Sequence, residues 1–246
     1  MLPQIIFYIA IYIIGVVLGS FFTLATYRIP LKQDILYTRS YCPKCNNKLK
    51  AWDLIPILSY ISLKGKCRYC HEKISPRYII IEFFSGLFYL LFVLSLKIDI
   101  FNIDVFTIVE LLYGTLIISS FFIIGGIEKE TKKLSKGTII FGLIVNAMYM
   151  IYLYILGNNI YRYIIYLVAV LLLILISKKE STPLMFAIAI FSLILVNNSI
   201  GLIISAILSI INIIIYYLFT SNKHMHPVFN ICITNVIILI MTNLIS

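Results

Sequence analysis

Long apolar runs broken by short basic segments dominate the chain. Eight stretches read as candidate spans, at about 4–26, 78–96, 105–126, 138–156, 161–177, 183–196, 200–219 and 227–245. Crossing a bilayer takes about 20 apolar residues in a helix. Backbone polar groups in hydrocarbon must pair within the chain, which makes helices the default. A barrel strand alternates apolar and polar residues; the unbroken run at 164–176 does not, so a barrel is rejected. The pattern predicts an all-α polytopic membrane protein of about eight transmembrane helices. The first run starts almost at the first residue and lacks a basic leading region or an A-x-A exit, so it is expected to be a retained helix. The expected organisation is a first transmembrane helix over 1–27, a loop domain over 28–77 and a seven-helix membrane domain over 78–246.

Composition agrees: 61% of the 246 residues are hydrophobic, well above the level of a soluble domain. The net charge of +10 adds topology. All of the 20 basic residues except Lys97 and Arg162 fall in alternate loops: 28–77, then Lys129 to Lys136, then Lys178 and Lys179, then Lys223. Basic residues concentrate in cytoplasmic loops. The 28–77 loop is therefore expected in the cytosol, with both termini outside. Charge confined to loops points to the lipid bilayer as partner; no basic-aromatic groove suggests nucleic acid, and almost no mid-span charge suggests an ion transporter.

The 28–77 loop is too small for a core of its own, and such segments usually need a metal or disulfide staple. Cys42-Pro43-Lys44-Cys45 and Cys67-Arg68-Tyr69-Cys70 supply one. Each C-x-x-C turn offers two thiolates for a tetrahedral site, so Cys42, Cys45, Cys67 and Cys70 are expected to hold a structural zinc in a ribbon-like loop. The alternatives are four reduced thiols or a redox pair. A cytosolic location argues against structural disulfides. His71 is either a substitute ligand or an exposed neighbour, and Cys232 is expected to pack as a small apolar residue.

These residues also carry a family resemblance. Gly19-Ser20-Phe21-Phe22, Tyr27-Arg28-Ile29-Pro30, the two cysteine pairs, Trp52-Asp53-Leu54-Ile55-Pro56, Gly65-Lys66-Cys67, Ile74-Ser75-Pro76-Arg77-Tyr78, Glu82 and Gly86 resemble the type IV prepilin peptidases over 15–86. The resemblance implies a multi-pass protein of the bacterial cytoplasmic membrane. It implies an intramembrane aspartic endopeptidase that removes the basic leader of a prepilin or pseudopilin-like substrate at the cytosolic face. Many such enzymes also methylate the new N-terminus with S-adenosylmethionine.

That family uses two aspartates sharing a proton, one in a D-x-x-x-x-x-x-P-D stretch after the third span and one in a G-x-G-D stretch after the fifth. No Asp follows Asp104 here. Glu128 and Glu180 stand at the matching places and are the expected catalytic pair. Ser135-Lys136 replaces the Pro-Asp, and Ser177 and Lys179 replace the two glycines. Each glutamate also has a plainer reading: Glu128 precedes Lys132 by one helical turn, and Glu180 follows Lys178 and Lys179, as exposed ion pairs do. Glu130 is a further candidate acid. Glu82 either belongs to the site or pairs with Arg77, and Glu110 lies near the outer end of the third span. The alternative function is a non-catalytic relative that binds pilins or assembly factors without cleaving them.

Overall fold

The computed structural model describes residues 2–157, 161, 164, 168, 199–218 and 226–245. The helices bounded within the described residues are α1 (Leu2–Arg28), α2 (Leu58–Ser62), α3 (Arg77–Ser95), α4 (Val105–Thr131), α5 (Lys136–Ile155), α6 (Ser199–Leu218) and α7 (Pro227–Ile245). A 3-10 turn, Ala51–Leu54, precedes α2. Among the described residues there is no extended strand, and five helices, α1, α3, α4, α5 and α7, are long and apolar enough to cross a membrane. The chain is an all-α polytopic membrane protein with a small cysteine-bearing loop. Six of the eight expected spans coincide with helices; the one at 183–196, and all of the one at 161–177 except residues 161, 164 and 168, lie outside the described residues. The structure divides into two compact units, Met1–Asn102 and Ile103–Ser246.

In the first unit α1 packs along α3. Hydrophobicity does not drive helices together within lipid, so close backbone approach must. A methyl added at Gly19 would lie 2.7 Å from Ser85 Cβ and 2.9 Å from Glu82 Cα, and one at Gly15 would lie 2.9 Å from Gly86 Cα. Phe22, Ala25, Phe92 and Val93 are buried along the same pair. At the end of α3, the Gln4 amide donates to the Ile98 carbonyl at 2.7 Å.

In the second unit α4 packs against α5 and α7, and α6 against α7. Tyr113 and Tyr149 stack with centroids 3.8 Å apart, and the Tyr113 hydroxyl donates to Asn146 Oδ1 at 2.6 Å. Helix α4 starts at Asp104, whose carboxylate accepts the Thr107 N–H at 2.9 Å. It runs past the expected end at 126 to Thr131, where Lys132 closes it with φ 54°. The extra turn is helical because Ile127 and Glu128 are buried in the unit, although hydropathy alone reads 127–131 as loop.

Candidate functional site

The cysteine loop is built from two copies of one turn. The Cys42 N–H donates to the Asn47 carbonyl and the Asn46 N–H to the Cys42 carbonyl; the Cys67 N–H donates to Glu72 and the His71 N–H to Cys67. An isolated bridge closes each copy, Tyr41 with Lys48 and Lys66 with Lys73. Asn46 and His71 hold the same left-handed conformation, φ 57° in both, one that Asn and His tolerate better than most residues. His71 is therefore an exposed turn residue, and it is not among the four clustered groups.

The turns bring Cys42, Cys45, Cys67 and Cys70 together, all four Sγ atoms within 4.8 Å of one another, so they could hold a metal ion. None is in a disulfide. The Cys70 thiol is pushed up to about 12: the Glu72 backbone N–H pulls it down, but desolvation and the thiols of Cys45, Cys67 and Cys42 outweigh it.

Three charged side chains, Arg28, Asp53 and Glu82, fix this loop. Arg28, at the end of α1, is buried, and its guanidinium donates to the carbonyls of Asp34, Thr38 and Arg39 at 2.9, 2.8 and 3.3 Å. Asp34 in turn accepts the N–H groups of Leu36, Tyr37 and Thr38. Asp53 is buried and takes Arg68 Nε at 2.6 Å, tying the 3-10 turn to the second cysteine pair. Glu82, on α3, accepts the Ile57 N–H at 2.7 Å.

In the second unit, Glu128 lies on the last full turn of α4 and is only 6% exposed. The carboxylate is therefore largely out of solvent. Its carboxylate points at the start of α7: Oε2 accepts the Phe229 N–H at 3.3 Å and Oε1 lies 3.6 Å from His226 Nδ1. The first N–H groups of a helix have no intrahelical acceptor, and the partial positive charge there favours a carboxylate. The approach depends on Gly125, where a methyl would sit 3.3 Å from Phe229 Cα. Cys232 is buried one turn on, as a small apolar residue should be. Lys129 Nζ lies 4.3 Å above the Phe229 ring.

Sequence pattern alone does not single out His226. Its imidazole Nδ1 is buried and has no hydrogen-bond partner among the described residues. The signal was a His-Pro step at the start of the last apolar run, but nothing local ties it to Glu128, 98 positions upstream. Glu180 lies outside the described residues, as do Ser177, Lys178 and Lys179. Glu130 is exposed and Glu110 half-buried.

Residues 13–96 match the model of the bacterial peptidase A24 N-terminal domain. The chain is similar to the prepilin leader peptidase/N-methyltransferase of Vibrio cholerae, 47% identical over 78 residues, covering 28% of this chain and 31% of that one. Against the enzyme of the same description from Bacillus subtilis, identity is 47% over 68 residues, 28% of this chain and 27% of the relative. The Klebsiella pneumoniae counterpart is 32% identical over 133 residues, covering 52% and 54%. The matches thus span about a third of the Vibrio relative and about half of the Klebsiella one. No solved structure matches.

Proposed function

We propose that this chain is a prepilin-processing endopeptidase of the bacterial cytoplasmic membrane. It removes the leader of a prepilin or pseudopilin-like substrate at the cytosolic face, where the 28–77 loop lies. The observation that carries the reading is the buried carboxyl of Glu128, presented at the end of α4 toward His226. The match over 13–96 and the descriptions of the relatives support the same class.

In this reading Glu128 and Glu180 act as a pair. One carboxylate takes a proton from a water; the other, protonated, donates to the scissile carbonyl as the water attacks. The two groups share a proton because their charges repel at close range. Glutamate reaches about 1 Å further than aspartate, so this backbone must sit correspondingly further from the peptide. Methylation of the new N-terminal amine with S-adenosylmethionine extends the proposal and rests on what the relatives are called.

The metal is zinc, and it is structural. Tetrahedral zinc thiolate, with Zn–S of about 2.3 Å, places sulfurs about 3.8 Å apart; Cys42 and Cys70 Sγ are 3.9 Å apart. Four protein ligands leave no open position for water, so the ion organises the loop and takes no part in hydrolysis.

Co-expression with a prepilin from the same cell tests the proposal. Leader removal should appear on a gel with the wild-type protein and vanish with Glu128→Ala and with Glu180→Ala. Processing that persists in both variants rules out this pair, and co-purification of uncut prepilin with the wild type points to binding without cleavage.

A further inference from the structure

We propose that the segment from Trp52 to Ile61 is not part of a solvated loop but is embedded in the membrane interface, on an anionic lipid surface. The first observation is a run of exposed apolar side chains. Trp52 is 58% exposed, Leu54 42%, Leu58 65% and Ile61 60%, all within ten residues of the 3-10 turn and α2. An apolar ridge on so short a segment needs another apolar phase.

The second observation fixes its depth. Glu82 accepts the Ile57 N–H at 2.7 Å. Glu82 is five residues into the membrane-crossing helix α3, about 7.5 Å along its axis from Arg77. Ile57 is therefore held level with the second turn of a spanning helix. Ile80, Phe83 and Phe84 of that helix are exposed and apolar at the same level. An interfacial segment buries its apolar face about 5–10 Å below the headgroups, which is the depth this tether imposes. The ion pair of the buried Asp53 with the exposed Arg68 joins the segment to the cysteine cluster, so the whole loop is seated by it.

The third observation is local geometry. Ile57 has φ 62° and ψ −54°, and the Leu58 N–H donates to the Pro56 carbonyl at 2.6 Å, forming a classic γ-turn. That turn is rare and strained, the more so at a β-branched residue. It breaks the chain between the 3-10 turn and α2, and Glu82 receives the N–H that the break leaves free. The ends of the segment carry charge suited to a lipid surface. Lys50 and Lys64 are exposed on either side, and Lys50 Nζ sits 5.7 Å from the Trp52 ring centre. Aromatic rings with flanking lysines favour the headgroup region.

Trp52 is the single tryptophan of the chain, so the full-length protein carries its own probe. The protein is placed in lipid nanodiscs of phosphatidylcholine and phosphatidylglycerol, and metal content is measured on the same sample to establish that the loop is folded. In discs whose acyl chains are brominated near the headgroup, Trp52 emission should be blue-shifted and fall by about a third or more relative to unbrominated discs, with less quenching from bromines near the chain end. Iodide in the aqueous phase should have little effect. Emission characteristic of water, insensitive to brominated lipid and quenched by iodide, would overturn the proposal and leave the ridge free for a soluble protein partner. Equal quenching from both bromine depths would also contradict an interfacial position.

Discussion

At the scale of single residues, Glu128 has two possible duties, and they respond differently to substitution. Its carboxylate caps the start of α7 through the Phe229 N–H, which glutamine can also do. A catalytic carboxyl must exchange a proton, which glutamine cannot. Glu128→Gln is therefore expected to keep the melting temperature within a few degrees while abolishing leader removal. Glu128→Asp keeps the acid but misplaces it by about 1 Å, so the rate should fall by roughly a hundredfold. Single-turnover cleavage and a thermal melt on the same preparations check both. The sequence announced Glu128 by its place after the third apolar run. It did not announce His226, nor Ile57 as the partner of Glu82: one contact joins segments far apart in the chain, and the other uses a backbone N–H that every residue except proline carries.

At the scale of elements, hydropathy located the long described helices well, though not the short α2, because each span needs a fixed length of apolar residues. It failed at the end of α4, where burial against α7 carries the helix through polar residues to Thr131. Helix pairing depends on groups that hydropathy does not see. Gly19→Leu would drive a side chain into Ser85 and Glu82; overpacking of this kind costs about 1–3 kcal/mol, which should appear as earlier unfolding in a detergent titration, with Gly137→Leu, in the open, as the control. The start of α4 has a pH dependence of its own. The Thr107 hydroxyl and backbone N–H hold the Asp104 carboxyl below the ordinary Asp range. A group whose folded pKa is depressed stabilises above its unfolded pKa and loses that contribution as pH falls through the folded one. Asp104→Asn should flatten the acid limb of stability against pH while retaining the cap acceptor; unfolding midpoints from neutral to strongly acid pH would show it.

At the scale of the whole molecule, the first unit has an organisation that four cysteines made readable and a seat that they did not. The C-x-x-C spacing gave the cluster because ligand geometry is strict. The docking of the loop through Arg28, Asp53 and Glu82 was hidden, since those residues look like ordinary loop and helix-end charges. Metal removal should separate the two layers. A strong chelator, or acid, which returns protons to the thiolates, is expected to make 28–77 sensitive to protease while α1, α3 and the second unit stay protected. Cleavage mapped by mass spectrometry would reveal this, and uniform digestion of the chain would contradict a local role for the metal.

The central claim is that a glutamate-based site in this membrane protein cuts prepilins. Its most direct test is the intact mass and N-terminal sequence of a cognate prepilin incubated with the purified, nanodisc-held protein. The account predicts loss of the basic leader with one defined new N-terminus, and no such product with Glu128→Gln. A prepilin left at full mass by the metal-loaded wild-type protein, or cut equally by the Glu128→Gln variant, would contradict it.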